Sequence, residues 1–293
     1  MEENGGNIHA DSTFCGSPAV VQVIQKVIAE LIGTYFLIFA GCCSVIINNA
    51  EETKGRITFP GICLVWGFSV TILVYSLAHV SGAHFNPAVT LSFAIYRHFP
   101  LRLACHSSLH LFTAFLYLEK VVTLIRSRVP LYFIAQVLGS FLASGTLYLL
   151  FEVNEKTYFG TIPSGSYIQS LVFEILTSFL LMFVVCAVST DNRAIGKLGG
   201  IAVGMTIIVN VFIAGLIMAC RPISGASMNP ARSLGPALVM WVYNGIWIYV
   251  VGPFVGAILG ATCYNLIRYT DKPLREIGAS SKIFKTSACT SAT

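Results

Sequence analysis

Charge is what this chain has least of: Asp, Glu, Lys and Arg make up 11% of its 293 residues, against about 25% in an ordinary soluble domain. That shortage argues against a soluble globule. Disorder is excluded too, because disordered chains are poor in aromatic residues and this one has 20 Phe and 12 Tyr. Polar segments that could carry disulfides are scarce. Of the nine cysteines, Cys42, Cys43, Cys63, Cys186 and Cys263 lie in apolar runs, so no disulfide framework is expected. Before Val20 no basic stretch leads into a short apolar core, and no cleavable signal peptide is expected. Catalytic patterns are missing as well: no paired catalytic carboxylates, no phosphate-cradling glycine loop, no nucleophile with a positioned base. The chain is therefore not expected to be an enzyme, to need a cofactor or to bind nucleic acid. Cys105, His106 and His110 have metal-ligand spacing but no fourth ligand, so no metal is expected.

What the chain has instead is long apolar runs. Residues 20–47, 61–80, 131–151, 168–188, 198–216 and 245–267 form six of them, each near the ~20 residues a helix needs to cross a bilayer. This predicts an integral, multi-pass, all-α membrane protein whose partner is membrane lipid. Basic residues give the orientation. With the N-terminus in the cytoplasm, Lys26, Arg97, Arg102, Lys120, Arg126, Arg128, Arg193, Lys197, Arg268, Lys272, Arg275, Lys282 and Lys285 fall on the cytoplasmic side, 13 of 18. Both termini are then cytoplasmic by the positive-inside rule. The expected organisation is a polar tail (1–19), one channel domain (20–267) and a second cytoplasmic tail (268–293).

The runs read as a duplication. Glu30 within the first is echoed by Glu174 within the fourth. Ser81-Gly82-Ala83-His84-Phe85-Asn86-Pro87-Ala88-Val89-Thr90 after the second is echoed by Ser224-Gly225-Ala226-Ser227-Met228-Asn229-Pro230-Ala231-Arg232-Ser233 after the fifth. Gln136 to Ser140 in the third matches Pro253 to Ala257 in the sixth. Three landmarks in one order define halves of about 20–151 and 168–267. Each half has an odd number of spans, so the second runs through the membrane inverted. Asn is a strong N-cap and Pro suits the first helical position, so each Asn-Pro-Ala starts a short re-entrant helix, 89–95 and 233–241 at its apolar part. Two such helices from opposite faces bring their positive N-terminal ends to the midplane. That opposes cations, while the Asn86 and Asn229 amides can donate to a passing oxygen. Glu30 and Glu174 have two readings: proton coupling in a secondary transporter, or support of the loops' backbone N–H groups. No intramembrane Lys or Arg in the spans supplies a coupling partner, which favours support.

With these residues in view the chain resembles the aquaporin, or major intrinsic protein, family. Ser189 to Ala194, Asn229 to Ala237 and Thr270 to Glu276 look like its plant nodulin-like branch. The resemblance implies an hourglass fold of six transmembrane helices and two half-helices. It also implies a homotetramer with a pore per subunit, and passive flow of water or small uncharged solutes. Its pore motifs fall on Asn86, Pro87, Ala88, Asn229, Pro230 and Ala231. A four-residue constriction falls on Trp66, Ala226, Arg232 and a fourth position on the fifth span. A literal count gives Ile217 there; matching the wording Asn210 to Gly215 gives Val211. Both are apolar and branched, pointing to a wide, greasy opening suited to glycerol, with urea, ammonia and metalloid hydroxides as further candidates. Ser280 and Ser281 in the tail are candidate kinase targets by the same resemblance.

Two segments depart from the family pattern. Residues 103–128 stand where the family has about one residue, and 216–221 stand between Gly215 and Pro222, which the family joins directly. A seventh span in the first would place Glu119 and Lys120 in hydrocarbon, so an interfacial helix or a cytoplasmic loop is expected. Six extra residues in a helix would turn the downstream chain by about 240°, so the second is expected to bulge outward. Their sharp edges look like retained intron sequence or a misjudged splice junction. The sequence therefore predicts a passive channel for glycerol-like neutral solutes and water that excludes ions, in the plasma membrane or an intracellular one. The alternatives are a proton-coupled transporter and a non-conducting variant. Gly252, Gly256 and Gly260 form a small-residue ridge for close helix packing, within the subunit or between subunits.

Overall fold

The structure, a computed structural model, describes residues 18–98, 128–154, 157–191, 194, 196–215 and 223–268. Most of 103–128, all of 216–221, Ile217, the Cys105, His106 and His110 group and the serines at 280 and 281 lie outside the described residues. Among the described residues the long helices are α1 (Pro18–Asn49), α2 (Thr58–Leu77), α4 (Val129–Leu150), α5 (Tyr167–Thr190), α6 (Gly199–Gly215) and α8 (Ile248–Ile267). Two shorter ones begin at the prolines of the two Asn-Pro pairs: α3 (Pro87–His98) and α7 (Pro230–Met240).

The six long helices are apolar and long enough to span a bilayer. Helices suit that setting because they satisfy every backbone group internally. On α1, Ile24, Ile28, Ile32 and Phe36 recur every fourth residue with 43–53% of their surface exposed, an outward stripe for lipid or a neighbouring subunit. The opposite side of the same helix buries Ala29, Glu30, Thr34, Leu37 and Ile38. The helix thus hides its polar residues, with Ala29, Leu37 and Ile38, inside and shows an entirely apolar stripe outside.

The duplication is visible in the packing. α1 packs on α4 as α5 packs on α8; α4 packs on α7 as α8 packs on α3; α1 meets α2 as α5 meets α6. The pair α2 and α6 maps onto itself. There Gly67 and Gly204 lie back to back. Gly139 on α4 lets that helix approach α1, since a Cβ would come 2.5 Å from the carbonyl oxygen of Leu31. Its equivalent Gly256, with Gly252 and Gly260, lies against Glu174, Ile175 and Phe179 of α5. The small-residue ridge therefore serves the packing within the subunit.

Candidate functional site

The site is built from the two loops that lead into α3 and α7. Their backbones match: Gly82, Ala83 and Phe85 in one and Gly225, Ala226 and Met228 in the other all have positive φ. Four of these are not glycine, and such left-handed residues cost on the order of 1–3 kcal/mol each unless the surroundings hold them. The two buried carboxylates do the holding. Oε1 of Glu30 accepts from the Ser81 hydroxyl at 2.6 Å and the His84 N–H at 3.0 Å, and Oε2 from the Phe85 N–H at 2.7 Å and Gln136 Nε2 at 2.8 Å. Glu174 accepts from the N–H groups of Ser227 and Met228, both at 2.8 Å. Both carboxylates are fully buried, and charge-assisted bonds of this kind are about twice as strong as neutral ones.

Those bonds also orient the carbonyls. In a trans peptide the C=O points opposite to the N–H. With the N–H groups of His84 and Phe85 turned to Glu30, the carbonyls of Ala83 and His84 point away from it; those of Ala226 and Ser227 likewise point away from Glu174. Ala83, His84, Phe85, Ala226, Ser227 and Met228 all line one continuous cavity. Its other walls are mainly aliphatic, with Leu37, Val70, Leu181 and Ile207 among them.

Asn86 and Asn229 meet at the centre. Each caps its helix: Asn86 Oδ1 accepts from the Ala88 N–H at 2.8 Å and Asn229 Oδ1 from the Ala231 N–H at 3.0 Å. Each also reaches across, Asn86 Nδ2 donating to the Met228 carbonyl and Asn229 Nδ2 to the Phe85 carbonyl, both at 2.8 Å. One amide hydrogen per residue is thus structural, which the sequence reading did not assign. Both residues also line the cavity.

Trp66, Val211, Ala226 and Arg232 line the same cavity and are all buried. The Arg232 guanidinium lies 5.3 Å from the centre of the Trp66 ring, within cation–π range. Gly41 makes room for that indole, since a Cβ there would strike it. Arg232 Nη1 is buried without a hydrogen-bond partner among the described residues, an arrangement rare enough to need a reason. Nearby, in the segment between α4 and α5, burial pushes the Tyr158 phenol above its usual range, against a smaller pull from Arg232. Among the described residues no cluster of His, Cys, Asp or Glu is placed to hold a metal.

Three structural residues escaped the sequence reading. The Tyr132 hydroxyl donates to the Ser81 carbonyl and the Tyr249 hydroxyl to the Ser224 carbonyl, both at 2.8 Å. The signal was there, because Tyr132 and Tyr249 each lie four residues before the matched positions Gln136 and Pro253. Asn210 donates to the Thr177 carbonyl at 2.9 Å and to Met228 Sδ at 3.1 Å. Its place in the first half is held by Leu73, so the repeat could not point to it.

Comparison with known proteins agrees with this geometry. The family model described as "Major intrinsic protein" matches residues 18–109 and 112–264. A protein of Nicotiana alata named as a NIP-type aquaporin is 54% identical over 96% of this chain and 93% of its own length. Nodulin-26 of Glycine max is 50% identical over 94% of this chain and 91% of its own. The crystal structure of the aquaglyceroporin from Plasmodium falciparum shares the fold at 20% identity, with a TM-score of 0.58 over 84% of this chain and 96% of that one. The inverted halves, the paired Asn-Pro helices and the cavity between them therefore have one source: the chain belongs to the major intrinsic protein family, the aquaporins, and is an integral, multi-pass membrane protein of that channel class.

Proposed function

We propose that the chain is a passive pore for glycerol-like neutral solutes, with water secondary and urea, ammonia and undissociated metalloid hydroxides as further candidates. The observation that carries this reading is Arg232, whose buried Nη1, beside the Trp66 ring, lacks a partner among the described residues. A polyol suits that pair, presenting a hydroxyl to the guanidinium and its carbon backbone to the indole, Val211 and Ala226. Where water-selective pores would place a His, Val211 offers no competing donor. The carbonyls turned away from Glu30 and Glu174 supply acceptors along the wall. The helix N-termini at Asn86 and Asn229 oppose protons and metal cations. Glu30 and Glu174 serve as loop supports, consistent with the backbone bonds they accept. Both termini face the cytoplasm, in the plasma membrane or an intracellular one, and four copies assemble, each with its own pore. Ser280 and Ser281 are targets for a kinase.

The test is light scattering of proteoliposomes in an inward glycerol gradient, comparing the full chain with one lacking 103–128 and 216–221. Rapid, non-saturating influx through both supports the pore. Influx through the trimmed chain alone makes the full chain a non-conducting product with sound pore chemistry. Saturable influx driven by a pH gradient would replace the pore with a coupled transporter.

A further inference from the structure

The two halves correspond position by position, down to the cytoplasmic end of the cavity. Gly67 and Gly204 fix the register of α2 on α6: a Cβ on either would come 2.6 Å from the other's carbonyl oxygen. With these two equivalent, Trp66 corresponds to Val203 and Val211 to Val74. The matched Asn-Pro segments make Ala226 equivalent to Ala83 and Arg232 to Val89. All eight residues line one cavity. The four on the outer side combine an indole and a guanidinium with two small apolar groups. Their four equivalents, on the inner side, are three valines and an alanine. Polar side chains that line the same cavity include Tyr75, His84, Ser189 and Lys197; His84 stacks on Phe93 with ring centres 5.0 Å apart and shares a hydrogen bond with Thr90 through Nδ1, and the Tyr75 and Ser189 hydroxyls donate to the Lys197 and Val185 carbonyls.

We propose that Val74, Ala83, Val89 and Val203 form a second, wholly aliphatic selectivity ring, the inverted counterpart of the outer constriction, and that it ranks glycerol-like solutes above water. This rests on the pore reading given above and deepens it. At the outer ring Arg232 replaces a hydrogen bond that a permeant loses. At the inner ring the equivalent residue, Val89, replaces none. A water molecule at the ring finds no hydrogen-bonding side chain among its four members and must turn to the Ala83 and His84 carbonyls of the wall, and unmade hydrogen bonds are costly in apolar surroundings. A polyol turns its hydroxyls to that wall and its carbon chain to the valines, so it sheds less.

The test changes polarity at nearly constant shape. Val89→Thr on α3 and Val203→Thr on α6 are reconstituted beside the unsubstituted chain and Val203→Ala, which changes size alone. Water permeability is read from shrinkage in sucrose and glycerol permeability from influx, in the same vesicles. One added hydrogen bond raises the water-to-glycerol ratio by roughly two- to ten-fold in either Thr variant. The Ala variant speeds both fluxes and moves the ratio less. Having two sites on separate helices guards against misfolding of one variant, and helical circular dichroism checks each. The inner ring is overturned if the unsubstituted chain conducts but both folded Thr variants keep its ratio, or if Val203→Ala shifts the ratio as far as Val203→Thr. The variants are made in the full chain or, if only that conducts, in the chain lacking 103–128 and 216–221; if neither chain passes either solute, the pore reading itself fails.

Discussion

Gly67 and Gly204 stand where the two inverted halves touch, each so close that a side chain on one would press on the other's backbone, 2.6 Å from its carbonyl oxygen. Neither α2 nor α6 can move aside without opening the cavity they line. Gly67→Ala also meets the Ile208 side chain, and Gly204→Ala the Thr71 hydroxyl. Overpacking of this kind costs about 1–3 kcal/mol. Each variant is expected to lower the midpoint of thermal unfolding in detergent, followed by circular dichroism, and to reduce solute flux.

The loop supports give a graded series. Glu174→Gln keeps the shape but turns one acceptor oxygen into a donor facing an N–H, so one of its two backbone bonds becomes a repulsion. Hydrogen bonds to charged groups are worth about 1.5–3 kcal/mol. Glu174→Gln should therefore be destabilised by that order, and Glu174→Ala by more, as measured by chemical unfolding in micelles. A Glu174→Gln protein as stable as the parent would remove the loop-support role.

Tyr132→Phe and Tyr249→Phe remove equivalent hydroxyls from the Ser81 and Ser224 carbonyls. Each loses one neutral hydrogen bond, about 0.5–1.5 kcal/mol. Because the bonds are equal in length and equivalent in place, the two losses should be similar and nearly additive in the double variant. Unequal losses, measured under the same conditions, would show that the halves are not energetically matched.

Where Arg232 lies over Trp66, Trp66→Ala removes the indole and leaves space against Gly41. Polyols longer than glycerol should then enter proteoliposomes that previously excluded them. Arg232→Val removes the guanidinium donor and should slow glycerol by roughly ten-fold or more, the loss of one charged hydrogen bond. Faster glycerol influx through Arg232→Val would contradict the donor role given to the guanidinium.

Much of the architecture could be read without coordinates. The spans at 20–47 and 168–188 differ from α1 and α5 by only a few residues at their ends. The Asn-Pro pairs start α3 and α7 because proline at the first helical position loses no needed donor and Asn caps the helix. The fourth constriction position is different. Counting gave Ile217 and wording gave Val211; Val211 lines the cavity, and Ile217 lies outside the described residues. The two readings differ by six positions, the length of the segment 216–221 that a literal count passes through.

By itself the sequence determined the class of protein, its membrane spans and its inverted duplication, because hydropathy, proline and helix capping are local properties that need no partner. Only the tertiary structure decided the cross-bonds of Asn86 to the Met228 carbonyl and Asn229 to the Phe85 carbonyl, 142 and 144 residues apart. It likewise decided the pairing of Tyr132 with Ser81 and the facing of Gly67 with Gly204. Those relations depend on how two halves close on each other, and close packing across an interface is set by shape at a distance in the chain that no local pattern records.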